Sequence, residues 1–134
     1  MTVFVCLDDK MGMTFGGRRQ SRDSKVIEDI FATVGKENLF IAPFSEKLLD
    51  GRKNVKVKRD PLGAAKRDFC FIEDRGIEKH INDIDTLIIY KWNRHYPSDM
   101  KFDVIPADCG FVLTEAVELA GTSHEKITKE IYKR

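Results

Sequence analysis

Short apolar runs alternate with polar turns along the chain, and the spacing of the apolar positions switches between a period of two and one of 3.6. Thr2-Val3-Phe4-Val5-Cys6-Leu7 is apolar and β-branched enough to predict a buried strand. Val26, Ile27, Ile30, Phe31 and Val34 recur at helical spacing. They predict a helix over about 22–34 with one buried face, closed by Gly35. Leu39-Phe40-Ile41 predicts a short buried strand, 43–49 a short helix closed by Asp50-Gly51, and 54–58 a half-exposed strand. After a turn at Pro61, Phe69-Cys70-Phe71-Ile72 predicts another buried strand, and Ile77, His80, Ile81 and Ile84 one face of a helix. Residues 86–90 form the clearest central strand, and 92–109, with Pro97 and Pro106, a long loop. Phe111-Val112-Leu113, a polar turn near Gly121 and a strand over about 126–132 complete the chain.

Strands alternating with helices, in a chain too short for a barrel, predict an α/β three-layer sandwich around a mostly parallel sheet. The last two strands have no helix between them, which predicts an antiparallel C-terminal hairpin at the sheet edge. No repeat, low-complexity tract or linker breaks the chain, so 1–134 is expected to be a single domain. At this length roughly two-thirds of the unfolded surface can be buried without a disulfide or metal.

Charge and cysteine usage narrow the function classes. The formal net charge is +1, so no global field draws the molecule to nucleic acid or membrane. Cys6, Cys70 and Cys109 are scattered and odd in number, which favours a reducing cytoplasm over a disulfide framework. There is no signal-like or membrane-spanning apolar segment. His80, His95 and His124 lie too far apart in sequence to suggest a metal site.

The run Gly16-Gly17-Arg18-Arg19-Gln20-Ser21-Arg22-Asp23, between the first strand and the first helix, is the richest in hydrogen-bonding groups. A connection needs only a few residues, so a polar one of this length points to a site.

Several stretches resemble the dihydrofolate reductase family. Val5-Cys6-Leu7-Asp8-Asp9 with Gly12-Met13 is similar to its first strand and active-site loop. Asp23 falls within one residue of its catalytic carboxylate, and Tyr90 at the position whose side chain bonds that carboxylate. Gly51-Arg52-Lys53-Asn54-Val55 is similar to its turn into the third strand, and Leu87-Ile88-Ile89-Tyr90 leads to Asp99-x-x-Phe102 at its spacing. The resemblance spans nearly the whole chain and implies that family's fold.

Departures bear on the activity. Arg18-Arg19-Gln20 replaces the family's Leu-Pro-Trp, Ala42-Pro43-Phe44-Ser45 its phosphate-holding Gly-Arg-x-Thr, and Glu73-Asp74 its paired glycines. A carboxylate about 4 Å from a phosphate charge repels it by roughly 4 kcal/mol at an effective dielectric near 20. NADPH binding and reductase activity are therefore not expected, and no cofactor is assigned. The chain is also similar to small bacterial proteins often labelled ribonuclease Z. That chemistry needs a His-x-His-x-Asp-His metal cluster, which is absent from the sequence.

Each candidate residue has two readings. Asp23 paired with Tyr90 would be a buried acid of raised pKa, or Asp23 simply caps the first helix. Arg18, Arg19 and Gln20 would bind an anion, or lie solvated. Trp92 and Arg94, within Lys91-Trp92-Asn93-Arg94-His95-Tyr96, would stack on and pair with a ligand, or Trp92 packs under its loop. The basic stretch from Arg52 to Arg67 reads as a solvated edge, Ser123-His124-Glu125 lacks a nucleophile context, and Asp8-Asp9 flanks a turn. The expected function is recognition of a small anionic or heteroaromatic ligand in a cleft between 8–23 and 90–99, with an enzymatic step undecided. The alternative is an RNA-binding accessory protein using the 91–96 loop. Oligomeric state is open.

Overall fold

A computed structural model describes residues 1–49 and 51–134. A seven-stranded sheet runs through the molecule: β1 (Thr2–Leu7), β4 (Leu39–Ile41), β5 (Val55–Val57), β6 (Phe69–Ile72), β7 (Thr86–Lys91), β9 (Val112–Leu119) and β10 (Ile127–Lys133). Its order is β5-β4-β6-β1-β7-β10-β9. The first five strands in that order are mutually parallel, and β10 runs antiparallel to both β7 and β9. This is the mostly parallel sheet with an antiparallel C-terminal hairpin that the apolar pattern predicts.

Period-two alternation sends each central strand to two cores. Val3, Val5, Leu7, Cys70, Ile72, Leu87 and Ile89 pack on one face. Phe4, Phe71, Ile88 and Tyr90 pack on the other. Helix α1 (Ser24–Val34) covers the second face with Val26, Ile30 and Val34, which repeat every four residues. The first face is closed by Leu62 and Ala65 of a short helix α2 (Pro61–Ala65), by Ile77 and Ile84, and by Phe102, Val104 and Phe111. Both faces of the sheet are thus covered, giving three layers.

Some elements differ from expectation. α1 begins at Ser24 because Asp23 caps it, its carboxylate accepting from the Lys25 N–H. Only Pro43–Ser45 of the expected 43–49 helix coils, as a 3-10 turn, and its expected closure at Asp50 lies outside the described residues. The apolar face at 77–84 is a 3-10 segment, Glu78–Asp83, whose preceding N–H groups on Ile77 and Glu78 are taken by the Asp103 carboxylate.

The largest difference is a second sheet of order β3-β2-β8, made of β2 (Gly12–Phe15), β3 (Arg18–Arg19) and β8 (Met100–Lys101). Gly16 and Gly17, at φ +59° and +74°, form the two-residue turn of a β-hairpin. The polar run expected as a loop is therefore half hairpin, and the 92–109 loop supplies that hairpin's third strand. Among the described residues, no helix is long and apolar enough to cross a membrane.

Candidate functional site

β1 lies between β6 and β7, so the chain leaves the sheet in opposite directions on either side of it, and a crevice opens at the carboxyl ends of these strands. Cys6, Glu73 and Trp92 stand at those ends, and Ser21, Arg22 and Asp23 approach from the start of α1. The remaining walls are Val26, Ile27, Leu48 and Phe71. These groups nearly fill the crevice: space for the centre of a water molecule is about 10 Å³, room for about one water.

Asp23 is buried, and both carboxylate oxygens are saturated. Oδ1 accepts from the Lys25 N–H at 2.9 Å, the Thr122 N–H at 3.0 Å and the Thr122 hydroxyl at 3.1 Å. Oδ2 accepts from the Ser123 N–H at 2.8 Å and the His124 N–H at 3.0 Å, and lies 3.1 Å from His124 Nδ1. Burial pushes this carboxyl up, but the hydrogen bonds together outweigh it and hold the group well below the usual carboxylate range. Gly121 permits the close approach, because a Cβ there would lie 2.5 Å from both Asp23 Oδ2 and the His124 carbonyl oxygen.

The expected Asp23–Tyr90 pair is not formed. Tyr90 is buried and donates to Asp29 Oδ2 at 2.5 Å, an oxygen that Lys129 Nζ also approaches at 2.7 Å. Burial first, then Asp29, raises the phenol well above its ordinary pKa. Asp23 instead meets His124, a residue whose sequence context gave it no role. The expected raised acid is a depressed one, because six donors converge on it.

Past His124 the network continues. His124 Nε2 lies 2.9 Å from Ser21 Oγ and 3.0 Å from the Tyr96 hydroxyl, which itself stands 3.5 Å from Ser21 Oγ. Trp92 is buried and stacks on the His124 ring, centroids 4.6 Å apart. Its indole therefore supports the histidine from within and presents no free face.

Arg19 forks onto Glu73, Nε to Oε1 and Nη2 to Oε2, both at 2.9 Å, while Ser45 Oγ donates to Glu73 Oε2 at 2.6 Å. The Arg19 guanidinium also lies 5.3 Å from the centre of the Phe44 ring. The Glu73 hydrogen bonds raise the Arg19 pKa further. Burial and then Glu73 push the Cys6 thiol well above its usual range, away from thiolate reactivity. Arg19, one of the expected anion ligands, is thus spent inside the protein.

Asp8 pins the neighbouring loops. It accepts from the Lys10 and Gly12 N–H groups through Oδ1 and from the Gln20 amide and Tyr96 N–H through Oδ2. Gln20 Nε2 also donates to the Pro97 carbonyl, leaving Gln20 Oε1 buried without a partner among the described residues. A flipped amide would aim that oxygen at two acceptors, so the network fixes its orientation.

Gln20 lines a second, open groove of about 250 Å³ with Phe15, Arg18, Arg19, Tyr96 and Pro97. Arg18 makes no ion pair among the described residues, and Phe15 is 54% exposed. Arg18, Arg19 and Gln20 therefore share one groove. Asp23 and Trp92 line the filled crevice behind it, Tyr90 is buried below, and Arg94 is exposed outside both linings.

No protein-family model matches this chain, and no curated protein matches it. Among solved structures it is similar to dihydrofolate reductase from Enterococcus faecalis complexed with NADP(H) and RAB-propyl. The TM-score is 0.71 at 12% sequence identity, over 99% of this chain and 95% of that one. The fold is dihydrofolate reductase-like.

Proposed function

We propose that this dihydrofolate reductase-like chain binds a small anionic or heteroaromatic ligand in the groove of Phe15, Arg18, Gln20 and Tyr96, and does so without NADPH. The observation that carries this reading is the open groove itself, which holds the Arg18 guanidinium, in no ion pair among the described residues, together with the Gln20 side chain and two aromatic rings. Arg18 supplies a fork for a carboxylate or phosphate, and Phe15 and Tyr96 offer apolar contact to a flat ring.

The residues do not fit NADPH in the manner the resemblance implies. The segments corresponding to the family's phosphate holders are bound to protein: Ser45 and Arg19 to Glu73, and Arg75 to Asp74 through Nε at 3.0 Å. A pyrophosphate there would face two carboxylates and displace a partly buried ion pair. The RNA-binding alternative has no support: Trp92 is buried and the Tyr96 hydroxyl is engaged with His124.

Thermal melts with folate-like carboxylates and nucleotides test the reading. A ligand at 100 times its Kd adds about 2.7 kcal/mol. Arg18→Ala should leave the empty protein within about 0.5 kcal/mol of the parent. It should weaken the ligand about tenfold, or 1.4 kcal/mol, while NADPH gives no specific stabilisation. The proposal fails if parent and variant respond alike to every stabilising anion, or if NADPH binds with a Kd below about 10 μM.

A further inference from the structure

Ser21, His124 and Asp23 are 103 and 101 positions apart in pairs along the chain, yet they form one continuous hydrogen-bonded line. Asp23 is an ionised acceptor with both oxygens occupied, so His124 Nδ1 carries the proton that faces it, and Nε2 presents its lone pair. That lone pair points at a hydroxyl, Ser21 Oγ, at 2.9 Å. Stacking on Trp92 and the 121–124 turn wrapped around Asp23 hold the imidazole from both sides. A nucleophile within hydrogen-bond reach of a base, and the base oriented by a buried carboxylate, is the arrangement that activates a serine.

We propose that Ser21 is an activated nucleophile and that the protein cleaves acyl esters. Ser21 Oγ attacks the acyl carbonyl, and its proton passes to His124 Nε2. The C–O bond to the leaving alcohol breaks, and that alcohol takes the proton from His124. Water, activated by the same nitrogen, then attacks the acyl-serine and releases a carboxylic acid and free Ser21.

Ser21 is partly exposed, so an ester reaches its Oγ from the solvent side of the filled crevice of Val26, Ile27, Leu48 and Trp92. The Arg22 backbone N–H follows the nucleophile and has no partner among the described residues. That N–H is the donor available to the developing oxyanion. The Tyr96 hydroxyl shares Nε2 with Ser21 and competes for its lone pair.

This activity does not require a ligand in the open groove, although Tyr96 borders both, and its test needs no knowledge of that ligand. The folded protein is treated with diisopropyl fluorophosphate, in which serine displaces fluoride, and the modified residue is mapped by mass spectrometry. p-Nitrophenyl acetate turnover is followed in parallel. The expected result is one adduct, on Ser21, lost in Ser21→Ala and slowed at least 100-fold in His124→Gln, with a p-nitrophenolate burst in the parent alone. No adduct on Ser21 of the folded parent overturns the proposal, whether or not the variants fold. So does an equal labelling rate in a folded His124→Gln variant.

Discussion

Arg19 and Asp23 show how far a residue's partners decide its chemistry. In sequence both stand in one polar run and both suggest a ligand. In the fold, Arg19 is neutralised by Glu73, whose side chain is only 9% exposed, and Asp23 is saturated by backbone donors. Removing one member of the Arg19–Glu73 pair leaves the other partly buried and uncompensated. Arg19→Ala should therefore destabilise the protein by about 2 kcal/mol in urea unfolding. The double variant Arg19→Met with Glu73→Leu should recover most of that loss; equal costs for the single and double variants would show that the pair is solvated.

Asp23 and Asp8 both titrate below their ordinary range in the folded protein. For a depressed carboxyl, the stabilisation is complete above the unfolded pKa of about 4 and is lost as pH falls from there toward the folded value. The unfolding midpoint should thus be flat between about pH 5 and 7 and drop steeply below about pH 4. In Asp23→Asn the acid dependence should be shallower, at the cost of about 3 kcal/mol at neutral pH from mismatched donors. An unchanged acid slope in that variant would remove Asp23 from the explanation.

At the scale of elements, the buried strands and α1 were legible because their apolar period is set by burial itself. The hairpin β2–β3 was missed, although Gly16-Gly17 between Phe15 and Arg18 is a recognisable turn signal. Its strands are short, so their charged ends dominated the pattern. The 77–84 segment keeps an apolar spacing but coils as 3-10, with the Asp103 carboxylate taking its first N–H groups.

The 121–124 turn was legible only as polar residues, because its purpose depends on Asp23, some hundred residues away. Gly121→Ala should be costly: its Cβ would meet a carboxylate oxygen and a backbone oxygen at 2.5 Å. About 2 kcal/mol of destabilisation in chemical unfolding is expected. Full stability in that variant would mean that the turn does not clasp Asp23.

For the molecule as a whole, sequence and structure agree on a dihydrofolate reductase-like sheet with both faces covered. Of the expected site, Arg18, Arg19 and Gln20 do share one groove. Asp23 and Trp92 stand behind it as a wall, supporting His124. Sequence could place these residues near one crevice because the fold fixes the strand ends. It could not show that the crevice is filled, because filling depends on pairs such as Arg19–Glu73 and Asp23–His124 that join distant segments. The result is a fold whose central crevice is closed by its own side chains, with the open groove proposed for a ligand lying on the β2–β3 hairpin.

An NMR titration of the ¹⁵N-labelled protein with anionic heteroaromatic compounds, folate and adenosine monophosphate first, tests that proposal most directly. The Gln20 side-chain amide and the backbone resonances of Phe15, Arg18 and Tyr96 should move together and saturate, while those of Val26 and Phe71 in the closed crevice stay still. Saturable shifts centred on the crevice, or no saturable shift with any of these compounds, would contradict a ligand site on the hairpin groove.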